Sequence, residues 1–178
     1  MFVEQERSNP VRSGRQWVGQ SFDYSNATGV YFNALSGHDS SSPTLYKTVV
    51  LSRSITVDTF RVYESDVLLG APIIMGTVDV GAIDRIGEYA YRSPVTSFVR
   101  LGPLANNRSA FKVVFGTRNQ AAGGWIDWVE IQYRRRFEAV GDFLLLSSPD
   151  TTANVEYTVR SLSSRNTAVF DITSHNSV

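Results

Sequence analysis

Hydrophobic residues at every second position, interrupted by frequent turn signals, constrain this chain to fold as sheet. The cleanest run is Trp125-Ile126-Asp127-Trp128-Val129-Glu130-Ile131-Gln132-Tyr133. It places Trp125, Asp127, Val129, Ile131 and Tyr133 on one face and Ile126, Trp128, Glu130 and Gln132 on the other. Trp125 and Trp128, three residues apart, are therefore expected on opposite faces of one strand. The stretch from Ile55 to Tyr63 alternates less perfectly, with Ile55, Val57, Thr59, Arg61 and Tyr63 opposed to Thr56, Asp58, Phe60 and Val62, as in a strand entering a two-sheet fold. Thr44-Leu45-Tyr46-Lys47-Thr48-Val49-Val50-Leu51 is rich in β-branched and aromatic residues and reads as another strand. The same signal recurs at 95–101, 111–115, 143–146, 155–159 and 168–172, with turns at Gly70-Ala71-Pro72, Gly102-Pro103, Asn106-Asn107 and Gly123-Gly124. No convincing amphipathic helix competes, so a β-sandwich or barrel is expected.

Composition narrows the function classes. The 178 residues carry 17 basic against 17 acidic side chains, and 42% are hydrophobic, enough for a real core. Zero formal charge removes the field that gathers phosphate backbones or anionic lipid, so nucleic-acid and membrane-surface binding are not expected. No run of eighteen apolar residues spans a membrane. The opening MFVEQERSNPVRSG lacks the apolar stretch of a signal peptide and reads as a start Met on an excised fragment or a mature chain. Without cysteine there is no disulfide framework, thiolate metal site or cysteine nucleophile.

Reactive constellations are scarce. His38 and His175 are the only histidines, each in a polar, loop-like stretch, and no nucleophile and orienting partner accompany either. Val80-Gly81-Ala82-Ile83-Asp84-Arg85-Ile86-Gly87 lacks the spacing and setting of a phosphate loop and reads as a plain loop. Aromatic residues crowd the first third, where Trp17, Tyr24 and Tyr31, with His38 and Asp39 beside them, form a candidate ligand platform for stacking on sugar rings; the competing reading is that these rings are core. Asp23, Asn26, Asp39 and Asp127 offer oxygen ligands for calcium without any EF-hand spacing. Asp127 stands among apolar partners, so its carboxylate must lie at an open strand end, accept hydrogen bonds or meet a cation. Arg134-Arg135-Arg136 after the strand is either a solvated edge that discourages aggregation or a partner-docking patch.

Three motifs, in order, carry a family resemblance. Gly14-Arg15-Gln16-Trp17-Val18-Gly19-Gln20-Ser21-Phe22 resembles the W-x-G-E-x-F element ahead of the peptidase domain in gingipain-type cysteine peptidases, including type IX secretion sortases, with Gln20 in place of the acid. Gly124-Trp125-Ile126-Asp127-Trp128-Val129-Glu130-Ile131-Gln132-Tyr133-Arg134-Arg135 is similar to the family's G-x-I-D-[WY]-[IV]-E-[IV]-x-Y-x-R segment and is the most specific of the three. Gly141-Asp142-Phe143-Leu144-Leu145-Leu146 and Thr167-Ala168-Val169-Phe170-Asp171-Ile172-Thr173 resemble the strand and the V-[WF]-D-[VI]-T stretch that follow.

The resemblance implies a non-catalytic β region in an extracytoplasmic setting, at the cell surface, in the periplasm or secreted, whose partners are a downstream peptidase domain and a protein substrate or envelope component. No catalytic residue carries over. The expected architecture is all-β: a loose N-terminus at 1–10, a jelly-roll-like antiparallel β-sandwich over 11–136, and a C-terminal β extension over 137–178. By analogy with jelly-roll binding modules, Gln20, Asp23 and Asp127 are the residues that could hold a structural calcium. The preferred account is that Asp127 accepts hydrogen bonds near the Gly123-Gly124 turn instead. Two functions follow: an accessory module that positions a peptidase relative to substrate, envelope or partner, or a carbohydrate-binding module using exposed aromatics.

Overall fold

In the computed structural model, which describes residues 2–4, 6–7, 17–78, 89–146 and 154–170, alternation becomes burial along the long strands. The strands are β1 (Phe2–Glu4), β2 (Ser21–Phe22), β3 (Thr28–Ala34), β4 (Thr44–Arg53), β5 (Thr59–Glu64), β6 (Val67–Leu68), β7 (Ile73–Ile74), β8 (Tyr91–Arg92), β9 (Thr96–Arg100), β10 (Arg108–Gly116) and β11 (Gly123–Gln132). One sheet has β4 and β11 at its centre, β1 and β2 along the far side of β11, and β8 and β9 along the far side of β4. The other runs β3-β10-β5, with β6 and β7 along β5. Every ladder is antiparallel, and the long strands β3, β4, β5, β9, β10 and β11 alternate between the sheets, the crossing pattern of a jelly roll.

The two inner faces close on one core. Tyr46 and Val50 of β4 and Ile126, Val129 and Ile131 of β11 meet Phe60 and Val62 of β5 and Phe111, Val113 and Phe115 of β10. Tyr46 stacks on Phe111 at 5.7 Å between centroids, so the sheets touch ring to ring. Gly124 sits where a Cβ would lie 2.9 Å from the rings of both Phe60 and Phe115, so only glycine permits this strand to approach.

The phase of β11 differs from strict alternation. Ile126 pairs with Val50 and Trp128 with Val49, leaving Asp127 as the extra residue of a β-bulge. Gly124, Ile126, Val129 and Ile131 are buried, so the inward spacing is two, then three, then two. Trp125 and Trp128 consequently share the outer face, which corrects the expectation that they oppose one another. In β5 the buried face of Asp58, Phe60 and Val62 is the one alternation defines, but the strand begins at Thr59, and Ile55 and Val57 are exposed ahead of it.

The chain divides into two compact units, Met1–Arg134 and Arg135–Val178. In the second, the described residues form no strand longer than a bridge, and two isolated bridges are present, Glu138 to Arg160 in parallel and Val140 to Phe143 antiparallel. Gly141 and Asp142, at φ 59° and 63°, make the tight two-residue turn between Val140 and Phe143. Asp142 accepts hydrogen bonds from the Ser163 N–H and hydroxyl, both at 2.6 Å, and these hold its carboxyl below the usual range. The strands expected at 143–146 and 155–159 do not form, because those residues have no ladder partner among the described residues. Of the expected strand at 168–172, residues 168–170 are unladdered among the described residues, and the remainder lies outside them.

Candidate functional site

The residues chosen from sequence separate into exposed and buried groups. Trp17 and Tyr24 are exposed. Tyr31 turns inward from β3 against Phe111, and burial pushes its phenol far above the ordinary range. His38 is buried, with Nε2 2.8 Å from Thr44 Oγ1 and its ring 5.9 Å from that of Tyr133. Asp39 closes its own turn: Oδ1 accepts from the Ser41 N–H and hydroxyl, and Oδ2 from the Ser42 hydroxyl. Tyr31 and His38 are thus packing residues in this fold, and no platform gathers all five. His175, the loop at 80–87 and residues 14–16 of the first motif lie outside the described residues.

Each of the three calcium candidates has a partner of its own in the fold. Asp127 Oδ2 accepts a 2.7 Å hydrogen bond from Arg92 Nη2 across the sheet, so a guanidinium occupies the side where a cation would sit. Asp23 Oδ1 accepts from the N–H groups of Ser25 and Asn26 in the turn between β2 and β3. The Gln20 carbonyl accepts from the Ile126 N–H, one residue before the bulge, while its side-chain amide lies over Gly29. Among the described residues no three His, Asp or Glu side chains converge in a metal-binding group. Asp127 accepts its hydrogen bond from Arg92 at the bulge.

The bulge builds a surface that sequence reasoning missed. With Trp125 and Trp128 both outward, Trp125 lies 6.3 Å from the ring of Tyr89, and the Arg53 guanidinium carbon sits 4.4 Å over the same Tyr89 ring while Nη1 donates to its hydroxyl at 3.2 Å. The Arg92–Asp127 pair borders these rings, with Asp127 the more enclosed partner. Arg53, the pair Tyr89 and Arg92, and Trp125 come from three separate stretches of chain, so no local motif announces them. Rings flanked by two guanidiniums and a carboxylate suit contact with a polar or planar partner.

A second constellation lies inside. Glu64 is fully buried and accepts four hydrogen bonds: Oε2 from the hydroxyls of Tyr46 at 2.8 Å and Ser109 at 2.6 Å, and Oε1 from the Ala110 N–H and the Ser65 hydroxyl. It joins β4 of one sheet to β5 and β10 of the other. Burial raises the Tyr46 phenol well above its ordinary range. Enclosure leaves no room for a substrate, so the network is a latch between sheets. Arg134, Arg135 and Arg136 are exposed. Arg134 accepts the Asp39 N–H at its carbonyl, and Arg135 Nη2 donates to the Glu138 carbonyl.

Fold and surface together define a β-sandwich module. No protein-family model matches the sequence, and no curated protein matches it. Among solved structures, the chain is similar to dimeric latent PorU from Porphyromonas gingivalis, at 16% identity and a TM-score of 0.57 over 80% of this chain and 13% of that one. It is also similar to the carbohydrate-binding module CBM36 in complex with calcium and xylotriose, at 11% identity and a TM-score of 0.44 over 74% of this chain and 99% of that one. A third likeness is to the CBM36-1 domain of a multidomain xylanase from the hindgut metagenome of Trinervitermes trinervoides, at 12% identity, a TM-score of 0.43, and 75% and 97% coverage. At these identities the shared feature is the fold. The chain spans only a small part of the PorU chain.

Proposed function

We propose that this chain is a non-catalytic interaction module of an extracytoplasmic gingipain-type peptidase or secretion sortase, holding the peptidase in place relative to its substrate, the envelope or a partner. The reading rests chiefly on one observation. Residues 124–132 of the most specific sequence motif lie in β11, at the centre of one sheet of a sandwich whose likeness to PorU extends over 80% of the chain. The chemistry agrees: the sequence has no cysteine, and His38 is engaged with a buried threonine rather than a nucleophile. The outer face of β11 and the exposed Arg134, Arg135 and Arg136 are the surfaces such a module would present to a partner. In-frame removal of residues 17–134 from the encoding gene tests the reading. Processing of the protein substrate should be lost while hydrolysis of small Arg- or Lys-reporter peptides persists; unchanged substrate processing would reject it.

The exposed Trp17 and Tyr24 support a second reading, a carbohydrate-binding module. A glycan array probed with the purified chain separates the two, since binding that disappears in Trp17→Ala or Tyr24→Ala would favour the second.

A further inference from the structure

The cations of β4 and β8 are answered unequally. Lys47 and Arg53 lie on the same side of β4 by alternation, away from the core residues Tyr46 and Val50. Lys47 is 3.7 Å from Glu130 of the neighbouring strand, and Arg92 of β8 is paired with Asp127. Arg53 has no carboxylate within ion-pair reach among the described residues. The reason is in the register: Lys47 stands opposite Glu130, but the partner of Arg53 is Gly123, which has no side chain to offer. The Trp125 indole fills that place, since a Cβ on Gly123 would lie 2.7 Å from its ring.

The Arg53 guanidinium is held in position by the rings. It lies over Tyr89 at 4.4 Å, and Nη1 donates to the Tyr89 hydroxyl. Nε is buried and has no hydrogen-bond partner among the described residues. Nε and Nη2 together form the side-on edge by which a guanidinium grips both oxygens of a carboxylate. A fixed cation, an unfilled edge and an indole beside it suit an anion carried next to an apolar group.

We propose that this site holds an aspartate or glutamate carboxylate of an acidic peptide segment on the Arg53 guanidinium, with the neighbouring apolar side chain of that segment resting against Trp125. The proposal rests on the reading of the chain as an interaction module and names what its β11 face recognises. Charge complementarity selects the acid. Lys47 and Arg92 already have their carboxylates, so the unanswered positive charge of β4 and β8 is concentrated at Arg53. A peptide suits the site better than an acidic sugar, because a pyranose stacks on an open, flat ring. Here both rings are half-buried and meet at 50°, and the guanidinium already lies over Tyr89.

Isothermal titration calorimetry of the full chain, with a blocked hexapeptide that carries one glutamate beside a tyrosine, tests this. Saturable binding is expected below roughly 1 mM, and the same peptide with glutamine in place of glutamate should bind at least about tenfold more weakly. That comparison uses only the wild-type chain, so it does not depend on how a variant folds. Arg53→Lys, which keeps the charge but lacks the planar fork, should weaken the glutamate peptide at least about tenfold. Lys47→Gln, whose charge is already met by Glu130, should change it by less than about twofold. Absence of saturation, equal binding of the two peptides, or equal losses in the two variants would each overturn the proposal. Tighter binding of a galacturonate trimer than of the peptide would overturn the peptide as the occupant. Removal of residues 17–134 asks whether the module serves its peptidase at all, so either result can fail without the other.

Discussion

Met1–Arg134 and Arg135–Val178 are written in the same strand vocabulary and end differently. In the first, Phe60, Phe111 and Val113 are fully buried; in the second, Phe143 is 69% and Val169 92% exposed. The difference is in neighbours. β4 has β11 on one side and β8 and β9 on the other, whereas residues 144–146 have no ladder partner among the described residues. Strand propensity is thus permission to pair, and burial follows only where a second edge and a second sheet are supplied.

The largest expected effect sharpens that contrast directly. Phe111→Ala should cost about 3–5 kcal/mol in urea unfolding, the range for a buried aromatic truncated in a packed core. Phe143→Ala should change the unfolding of a dilute sample by less than about 0.5 kcal/mol. Equal losses would erase the distinction between the units.

Next in size is the latch. Glu64→Gln replaces an acceptor of four hydrogen bonds with a group that turns two donors toward donors, so about 1–3 kcal/mol should be lost. Ser109→Ala, which removes a single donor, should cost about 1 kcal/mol. A neutral Glu64→Gln in the same unfolding assay would mean that the sheets are held by packing alone.

The bulge predicts an unusual tolerance. Because Asp127 is the unpaired residue between Ile126 and Trp128, deleting it leaves Ile126, Val129 and Ile131 facing the core. It removes mainly the Arg92 pair, worth about 1 kcal/mol or less. Deleting Val129 instead flips the rest of β11 and should abolish folding. Circular dichroism of the two deletions separates these outcomes, and equal damage would contradict the bulge.

How far these features could be read from the chain differs by element. β4, β10 and β11 were legible to within a few residues, because one buried face makes their alternation strong. The bulge was not, since Asp127 keeps the polar-apolar rhythm intact while shifting its phase, and so the two tryptophans were assigned to opposite faces. Short β6, β7 and β8 carry too few residues for a period. β3 was hidden by its exposed Val30 and Phe32, which blur the contrast between faces. Glu64 gives no local sign because its donors Tyr46 and Ser109 are distant in sequence, and the same is true of Arg92 and Tyr89 beside β11. The run at 143–146 was overread for the converse reason: composition reports what a segment can pair with, not whether a neighbour arrives.

A smaller effect appears at high pH. Burial raises the phenols of Tyr31 and Tyr46, so both should stay neutral well past the ordinary phenol value of about 10. With folded values above unfolded ones, their contribution to stability is complete below about pH 10 and is lost as pH rises beyond it. Ultraviolet titration of the eight tyrosines should show two that ionise only as the protein unfolds. Ionisation of all eight in the folded state would place Tyr46 or Tyr31 in solvent.

Hydrogen exchange of the full chain, followed by mass spectrometry, addresses the contrast most directly. Amides of β4, β10 and β11 should exchange only through global unfolding, while those of residues 144–146 should exchange nearly as fast as in an unfolded chain. Protection at 144–146 equal to that of β11 would contradict the account, because the second unit would then hold a sheet of its own.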